Sequence, residues 1–314
     1  MENIKEEIRE TLDKKNFCYK KLTFLAGDAS ERKYFDLIHK NKKYVVMYDK
    51  DNENLKKFIK ISDIFRNRVS VPLIIEDFKK NNLLILENFG PKKYGSILKK
   101  ENRKKLYNFA VDAIINLQKI KTKKLPNYST KMFIDESNLF FDWYTKKKIK
   151  DEIREKFNSL FVLFLDHLKD LPQVVVHRDY HVDNLFYLSN RKNFLKCGLI
   201  DYQDAVIGPC AYDIVSLTQD ARVDVSQKME SILIKHYLES NRKLDKKLFF
   251  FCYQLLAIQR HLKVLGIFCR LSIRDKKKQY LKHLPRVKKL LYSNLQKKNF
   301  KKLSFLIFPL LENV

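Results

Sequence analysis

The chain has 314 residues, 45% of them hydrophobic, which is enough for an enzyme-sized unit of two lobes with a substantial core. Its formal net charge is +27, carried mostly by lysines that are spread along the whole sequence. Arginine, the better reader of bases and phosphates, is scarce. We therefore interpret the charge as a solvated basic surface rather than a dedicated polyanion site. On this interpretation we do not expect nucleic acid to be a partner.

The five cysteines stand far apart, and no two form a Cys-x-x-Cys pair. This spacing argues against a zinc site and against a disulfide framework, and it fits a reducing compartment. The N-terminus is charged where a signal peptide would be apolar, and the apolar run 303–311 is far shorter than the roughly 20 residues of a membrane span. We expect a cytoplasmic protein with no membrane partner.

The first 88 residues predict a small mixed lobe. Ile4, Ile8 and Leu12 recur every four residues among charged residues, which is typical of a short amphipathic helix, and a second helical pattern covers 54–65. Short runs rich in β-branched and aromatic residues indicate strands, with turn residues between them. The predicted strands are 21–25, 34–38, 44–47, 72–75 and 82–86.

Beyond a break at 89–95 the chain reads as mostly helical. The predicted helices are 102–118, 135–147, 151–168, 226–239, 246–268 and 284–295. We expect an α+β fold of two lobes, with a five-stranded antiparallel lobe at 1–88, a hinge at 89–95 and a helical lobe at 96–314. Two strand-loop units within 174–217 interrupt the helical lobe.

These two units carry the residues that suggest chemistry. Asp179 and Asn184 lie five residues apart in a loop after Val-Val-Val, and Asp201 follows a second strand. Phosphoryl transfer needs a carboxylate to accept the proton of the attacking hydroxyl, together with hard oxygen ligands for Mg²⁺. Asp179 suits the first role, and Asn184 with Asp201 suits the second. Polar loop residues also serve as turn caps, but the arrangement of both lobes around the loop favours catalysis.

Several segments together resemble a known family. They are Leu25-Ala-Gly-Asp-Ala-Ser-Glu-Arg32, Leu84-Ile-Leu-Glu87-Asn-Phe-Gly90, Val176-His-Arg-Asp-Tyr-His181, Leu199-Ile-Asp-Tyr-Gln-Asp-Ala205 and Gln259-Arg-His-Leu-Lys263. Nearly the whole chain resembles the aminoglycoside phosphotransferase and choline kinase branch of the protein-kinase-like fold. Within that branch it is most similar to the kinases that phosphorylate N-acetylmuramate and N-acetylglucosamine at C1 in cell-wall sugar recycling.

The resemblance implies that ATP and Mg²⁺ are the cofactors. Asp179 would be the catalytic base, Asn184 and Asp201 would hold the metal, and Asp213 would anchor the catalytic loop. The segment 26–30 would cover the ATP phosphates, with Ser30 and Arg32 as phosphate contacts, although the same residues also fit an ordinary hairpin turn. The backbone of Glu87, Asn88 and Phe89 would face adenine.

One position departs from the pattern of the fold. Most members carry a lysine on the third strand that binds the α- and β-phosphates, but the run 44–49 places Met47 there. The amino-sugar kinases that the chain resembles are also unusual at this position. Lys43, Lys50 and Arg32 are candidate replacements, and the sequence does not distinguish among them.

Candidate acceptor residues lie in two predicted helices and one loop: Glu136, Trp143, Tyr144, Asp204 and Arg260. Aromatic faces stack on sugar rings and carboxylates bind sugar hydroxyls, so the segment 135–144 can form a wall of the pocket, although an aromatic stripe is also typical of a core. Arg260 lies in an otherwise apolar helix. It either binds the carboxylate of a lactyl group or pairs with an acid across the helices.

The sequence thus predicts an ATP- and Mg²⁺-dependent kinase for an amino-sugar hydroxyl, with a downstream nucleotidyltransferase as an implied partner. Two alternatives stay open. One is a kinase for another alcohol such as an aminoglycoside, choline or homoserine. The other is a pseudokinase or nucleic-acid-associated protein, which Met47 and the net charge of +27 would suit.

Overall fold

The structure is a computed structural model that describes residues 2–27, 32–145 and 151–312. Its strands are β1 Lys21–Gly27, β2 Lys33–His39, β3 Lys42–Tyr48, β4 Ile74–Phe78, β5 Leu83–Glu87, β6 Gln173–Val176, β7 Leu185–Tyr187, β8 Cys197–Leu199 and β9 Val206–Pro209. Its α-helices are α1 Glu2–Lys14, α2 Asn52–Phe65, α3 Tyr94–Ile97, α4 Arg103–Leu117, α5 Thr130–Leu139, α6 Asp151–Asp166, α7 Tyr212–Thr218, α8 Gln227–Ser240, α9 Lys246–Ile273, α10 Leu284–Leu295 and α11 Lys301–Glu312.

Strands β1 to β5 form one antiparallel sheet, as the sequence predicts, and the order of its strands is β1-β2-β3-β5-β4. Lys40 and Asn41 connect β2 to β3 with positive φ angles of 47° and 61°. Two consecutive residues in this region make the tight turn whose twist matches an antiparallel hairpin. The small lobe thus has the predicted strands, and the predicted two-lobed α+β fold is confirmed. The hinge at 89–95 stays a prediction.

The two faces of this sheet belong to different cores. On one face Ile8 and Leu12 of α1 pack with Phe35 and Val46 in a small apolar cluster. On the other face Met47 of β3 joins α2 and the core of the helical lobe. Because strand side chains alternate between faces, neighbouring residues of β3 serve both cores.

Helix α9 is the centre of the helical lobe, and it is buried along most of its length. Gly266 permits its closest contact, because a Cβ at this position would lie 2.2 Å from the backbone of Leu139 in α5. Helix α5 begins at Thr130, five residues before the predicted start, since Ser129 caps it by accepting a hydrogen bond from the N–H of Met132 at 3.2 Å.

The helix that the sequence predicts at 135–147 also ends differently. Its last described turn, Phe140–Tyr144, is π-helical, which is a conformation found often at functional sites. Residues 146 and 147 of the prediction lie outside the described residues. Helices α3, α7 and α11 are additions to the predicted set. Helix α3 has only four residues, and α7 is short and buried all round, so it lacks the one-sided stripe that identifies a helix.

Two short antiparallel pairs, β6 with β9 and β7 with β8, support the loops that the sequence singles out. The first loop runs from β6 to β7 and the second from β8 to β9, so both loops connect the same two strand pairs. In the part of the chain that the structure describes, no helix combines the length and apolarity needed to span a bilayer.

Candidate active site

Asp213, at the start of α7, holds the first turn of the loop after β6. Its carboxylate accepts hydrogen bonds from the backbone N–H groups of His177 at 2.8 Å and Arg178 at 3.1 Å. Burial raises the pKa of Asp213 to about 7, although the two backbone donors lower it. Arg178 has a positive φ of 75°, a strained geometry that needs such support. The anchoring role predicted for Asp213 is confirmed.

A second anchor, Asp220, is absent from the sequence-based predictions. Its carboxylate accepts a hydrogen bond from the N–H of Val182 at 3.0 Å, further along the same loop, and its side chain is fully buried. Asp213 and Asp220 lie at the two ends of α7. Asp220 stands among polar residues, Thr-Gln-Asp-Ala-Arg at 218–222, so the sequence carries no local signal of its burial.

Asn184 joins the two loops. Its side-chain N–H group donates to the backbone oxygen of Asp179 at 3.0 Å and lies 3.5 Å from Oδ2 of Asp201. The three residues that the sequence selects therefore lie together. Asp201 lies near the start of the loop after β8, beside Asn184 at the end of the loop after β6, and a carboxylate and an amide both offer hard oxygen donors, so these residues fit a magnesium ion.

Tyr202 fixes the position of Asp201. Its hydroxyl lies 2.8 Å from the Ser62 hydroxyl, and its ring stacks on Phe58 with centroids 5.1 Å apart, so helix α2 packs directly on this residue. Asp201 itself has a positive φ of 63° and accepts a hydrogen bond from Gln203 at 2.7 Å. The buried tyrosine thus stabilises a backbone geometry that the neighbouring carboxylate requires.

Positive charges from α9 surround Asp179. Burial by itself raises the pKa of this carboxyl, but Lys263, His181 and Arg260 lower it, and the net result is a pKa below its ordinary value. Asp179 is therefore ionised at neutral pH. Arg260 is 3% exposed, and it donates to the backbone oxygen of Arg178 at 3.3 Å, which ties α9 to the loop.

Glu136, a candidate acceptor residue, is occupied by four protein donors. Lys263 lies 3.0 Å from its Oε1 and Gln259 lies 3.2 Å from its Oε2, while Arg178 and Tyr128 also hydrogen-bond to the carboxylate. Burial raises the pKa of Glu136, but Lys263 and Arg178 bring it below its ordinary value. This carboxylate, with four donors on it, supports the loop after β6 through Arg178.

The aromatic candidates of the acceptor wall differ in their surroundings. Tyr144 is 3% exposed and stacks on Phe140 with centroids 5.0 Å apart, and burial raises the pKa of its phenol to about 12. These are the properties of a core residue. Trp143 is half-buried, at the edge of the same π-helical turn.

The residues expected to face adenine lie at the end of β5. The Glu87 carboxylate accepts two hydrogen bonds from Arg191, at 2.7 and 2.8 Å, and the guanidinium of Arg191 also lies over the Phe89 ring at 5.3 Å from its centroid. The side chain of Asn88 donates to Asp36 at 3.1 Å and accepts from the N–H of Gly90 at 2.7 Å. These contacts make the segment a fixed turn.

Of the two expected phosphate contacts, Ser30 and Arg32, the structure describes only Arg32. Ser30 lies outside the described residues. Arg32 forms a buried ion pair with Asp49, with Nε 3.1 Å from Oδ2, and its side chain is 5% exposed. Asp204, a candidate acceptor residue, pairs with Lys57 of α2 at 2.6 Å, and both side chains are 47% exposed, so its acceptor role stays a prediction.

Residues 21–245 match the sequence pattern of the Phosphotransferase enzyme family. The chain is 31% identical over 282 residues to the N-acetylmuramate/N-acetylglucosamine kinase of Neisseria meningitidis, covering 84% of this chain and 83% of that one. It is also 31% identical over 278 residues to the protein of the same name in Pseudomonas putida, covering 84% of this chain and 80% of that one.

Solved structures show the same fold. Choline kinase LicA from Streptococcus pneumoniae has a TM-score of 0.66 at 11% identity, covering 93% of this chain and 99% of that one. The ADP-bound aminoglycoside phosphotransferase APH(2'')-Ib has a TM-score of 0.64 at 15% identity, covering 91% and 96%. The family match spans more than half of this chain and the curated relatives share its sequence over most of their length. The chain therefore belongs to the phosphotransferase enzyme family and transfers a phosphoryl group to a hydroxyl.

Proposed function

We propose that the protein is an ATP- and Mg²⁺-dependent kinase that phosphorylates the anomeric hydroxyl of an amino sugar, N-acetylmuramate or N-acetylglucosamine. The substrate class is supported by the name that two relatives, each 31% identical, carry. The observation that carries the chemistry is Asn184, whose amide contacts the backbone of Asp179 and lies 3.5 Å from Asp201.

Asp179 would orient the sugar hydroxyl and accept its proton. The carboxylate is ionised because the cations Lys263 and Arg260 outweigh the effect of its burial, which by itself raises the pKa. An ionised carboxylate accepts a hydrogen bond from the hydroxyl and aligns its lone pair with the γ-phosphorus. In a loose phosphoryl-transfer transition state such positioning accounts for most of the catalysis.

Asn184 and Asp201 would hold Mg²⁺, which supplies positive charge beside the phosphate oxygens when it is bound. The backbone of 87–89 would bind adenine, since Arg191 and Asp36 already occupy the side chains of Glu87 and Asn88. We propose Trp143 as the wall for the sugar ring, because it keeps an exposed surface. Arg260 and Glu136 would not contact the sugar; they would hold Arg178, and with it the loop that carries Asp179, in place.

The product would be a sugar 1-phosphate, the class of compound that a nucleotidyltransferase consumes, and such an enzyme is the proposed partner. Use of ATP and the free cysteines of the described chain support a location in the cytoplasm.

The decisive test is ADP release measured over a panel that includes N-acetylmuramate, N-acetylglucosamine, an aminoglycoside, choline and homoserine. Phosphorus NMR of the product then assigns the phosphate to C1 or to another oxygen. We expect turnover with the amino sugars and a C1 phosphate. Turnover with a different alcohol would replace the proposed substrate, and no turnover on any alcohol would contradict the kinase assignment.

Asp179→Asn tests the mechanism in the same assay. The variant should lose nearly all turnover while it still binds ATP, because the amide cannot take the proton. Asp166→Asn changes an exposed acid that is paired with Lys169 at the surface, and it should keep full activity. Full activity in Asp179→Asn would contradict the role of Asp179.

A further inference from the structure

The third strand of the small lobe provides no cation toward a nucleotide. Met47 is fully buried, and its side chain lies in the core that α2 shares with the helical lobe. A nucleotide polyphosphate carries several negative charges, and one bound Mg²⁺ would compensate only part of that charge. Another cationic side chain is therefore needed beside Asn184 and Asp201.

Three cations near β3 are less suitable. Arg32 is buried in its ion pair with Asp49, so moving it would leave a buried charge without a partner. Lys43 lies next to the hairpin turn at Lys40 and Asn41, where it is exposed and stands opposite Ile38. Lys50 is exposed just beyond the end of β3, and the contacts of the described chain do not direct it toward the loops of the site.

Lys57, on α2, has the position that the other three lack. Its Nζ lies 2.6 Å from Oδ1 of Asp204, which follows Asp201 by three residues. The backbone oxygen of Asp204 accepts a hydrogen bond from Arg178 at 3.2 Å, and Arg178 precedes Asp179. The ammonium of Lys57 therefore lies beside the loop that carries Asp201, at the residue of that loop to which Arg178 is hydrogen-bonded.

The packing of α2 fixes this position. Phe58, next to Lys57, stacks on Tyr202, and the hydroxyl of Ser62 lies 2.8 Å from that of Tyr202. Because Tyr202 is the residue after Asp201, these contacts fix where Lys57 lies along the loop that carries Asp201. A charged side chain on a rigid helix is a precise way to present an ammonium to a ligand.

We propose that Lys57 binds the phosphate groups of the nucleotide and replaces, from helix α2, the lysine that the third strand lacks. The inference rests on the proposed function and names the phosphate-binding cation of that same site. In the free protein Asp204 holds the ammonium. Both side chains are 47% exposed, so their pair is weak, and the ammonium can turn to a polyphosphate that carries more charge than one carboxylate.

The test compares nucleotide and nucleoside binding, which does not depend on turnover. Isothermal titration calorimetry measures the dissociation constants of ADP and adenosine for the wild type, Lys57→Ala and Lys57→Arg. We expect Lys57→Ala to bind ADP about tenfold or more weakly and adenosine as the wild type does, because only ADP carries phosphates. Lys57→Arg should recover part of the ADP affinity, since it restores the charge with different geometry.

Lys56→Ala is the matched control. Lys56 is the preceding residue on α2, and it is exposed and paired with Glu53 at 2.7 Å, so its removal changes the net charge equally without reaching the site. ADP affinity should stay within about twofold of the wild type in this variant. An unchanged urea midpoint in both alanine variants would show that the helix is intact.

Two results would overturn the inference about Lys57 and leave the proposed function intact. One is wild-type affinity for ADP in Lys57→Ala. The other is an equal loss for ADP and adenosine, which would make the pair of Lys57 and Asp204 a contact between the lobes. If the wild-type protein binds neither ADP nor ATP, the proposed function fails as well. Sugar phosphorylation by the wild type together with unaltered ADP binding in Lys57→Ala separates the two failures.

Discussion

The carboxylate of Asp213 accepts a hydrogen bond from the backbone N–H of His177 at 2.8 Å. The same carboxylate accepts from the N–H of Arg178, which has left-handed backbone geometry. This acid at the start of α7 thereby determines the direction in which the following residue, Asp179, leaves the strand. The fold thus fixes the direction of the proposed catalytic carboxylate through a buried partner on α7.

Asp213→Ala should therefore lower both stability and turnover. It leaves two buried N–H groups without acceptors, at a cost of about 1–3 kcal/mol for each group. Urea unfolding monitored by circular dichroism measures the loss. Ser216→Ala, on the same helix, removes a hydroxyl that bonds only within α7 and should cost about 1 kcal/mol or less. Equal losses in the two variants would contradict an anchoring role.

Glu136→Gln should destabilise the protein strongly although it keeps the shape of the side chain. The change leaves Arg178 and Lys263 without their shared buried carboxylate, and breaking a buried pair in this way costs about 3–5 kcal/mol. The adjacent Asp135 is the control, because it is exposed and pairs with Lys131. Asp135→Asn should change the free energy of unfolding by about 0.5 kcal/mol or less. A similar, small effect in both would show that Glu136 is not a structural support.

Gly266→Ala should weaken the contact between α5 and α9. The added Cβ would lie 2.2 Å from the carbonyl of Leu139, and backbone atoms have no rotamer with which to move aside. Overpacking of this kind costs about 1–3 kcal/mol or more. Differential scanning calorimetry should show a clearly lower Tm, whereas Lys247→Ala, exposed on the same helix, should leave Tm nearly unchanged. An unaltered Tm in Gly266→Ala would mean that the helices are further apart.

Stability should fall as pH decreases from about 6.5 to 4. Burial lowers the pKa of His177 to about 4 and of His261 to about 3, and it also lowers the pKa of His181. A buried neutral histidine does not lower the free energy of unfolding while the pH is above its pKa in the unfolded chain. Below that pH the unfolded chain takes up a proton that the folded chain does not, and stability is lost until the pH reaches the pKa in the folded state. Asp213 acts in the opposite direction over the same range, because its pKa is raised to about 7.

These lowered histidine pKa values, to which His283 adds, outweigh the one raised carboxyl pKa, so near pH 5 the unfolded chain binds more protons than the folded one. Urea midpoints measured between pH 7 and 4 should decrease steadily. His261→Gln should make this decrease shallower by about one third of the histidine contribution, because Gln cannot take up the proton. A midpoint independent of pH, or an unchanged slope in His261→Gln, would contradict the burial of neutral histidines.

The sequence indicates much of the fold because its patterns are local. Alternating strands, the one-sided stripe of α1 and the turn residues between them need no tertiary information. The same holds for Asp179, Asn184 and Asp201, whose residue types are unusual at the ends of apolar runs. Their proximity is then a consequence of two neighbouring strand ends.

The sequence did not reveal which groups each candidate side chain contacts in the folded protein. Glu136 looks like a sugar ligand in sequence, and only the fold reveals that four donors already occupy it. Tyr144 illustrates the same limit, because helical spacing does not distinguish a core face from a pocket wall. Lys57 is one of several lysines on α2, and its relation to Asp204 spans 147 positions of the sequence.

The contact of Phe58 and Ser62 with Tyr202 has a consequence for how the enzyme moves and unfolds. Helix α2 is packed into the large core with Met47, while the outer face of the sheet has its own small cluster with α1. A nucleotide-dependent closure would therefore bend the sheet relative to α2 instead of carrying the whole small lobe as a block. For the same reason the first 88 residues lose the apolar partners of α2 and Met47 when they are separated from the remainder, and cooperative melting should include both lobes in a single transition.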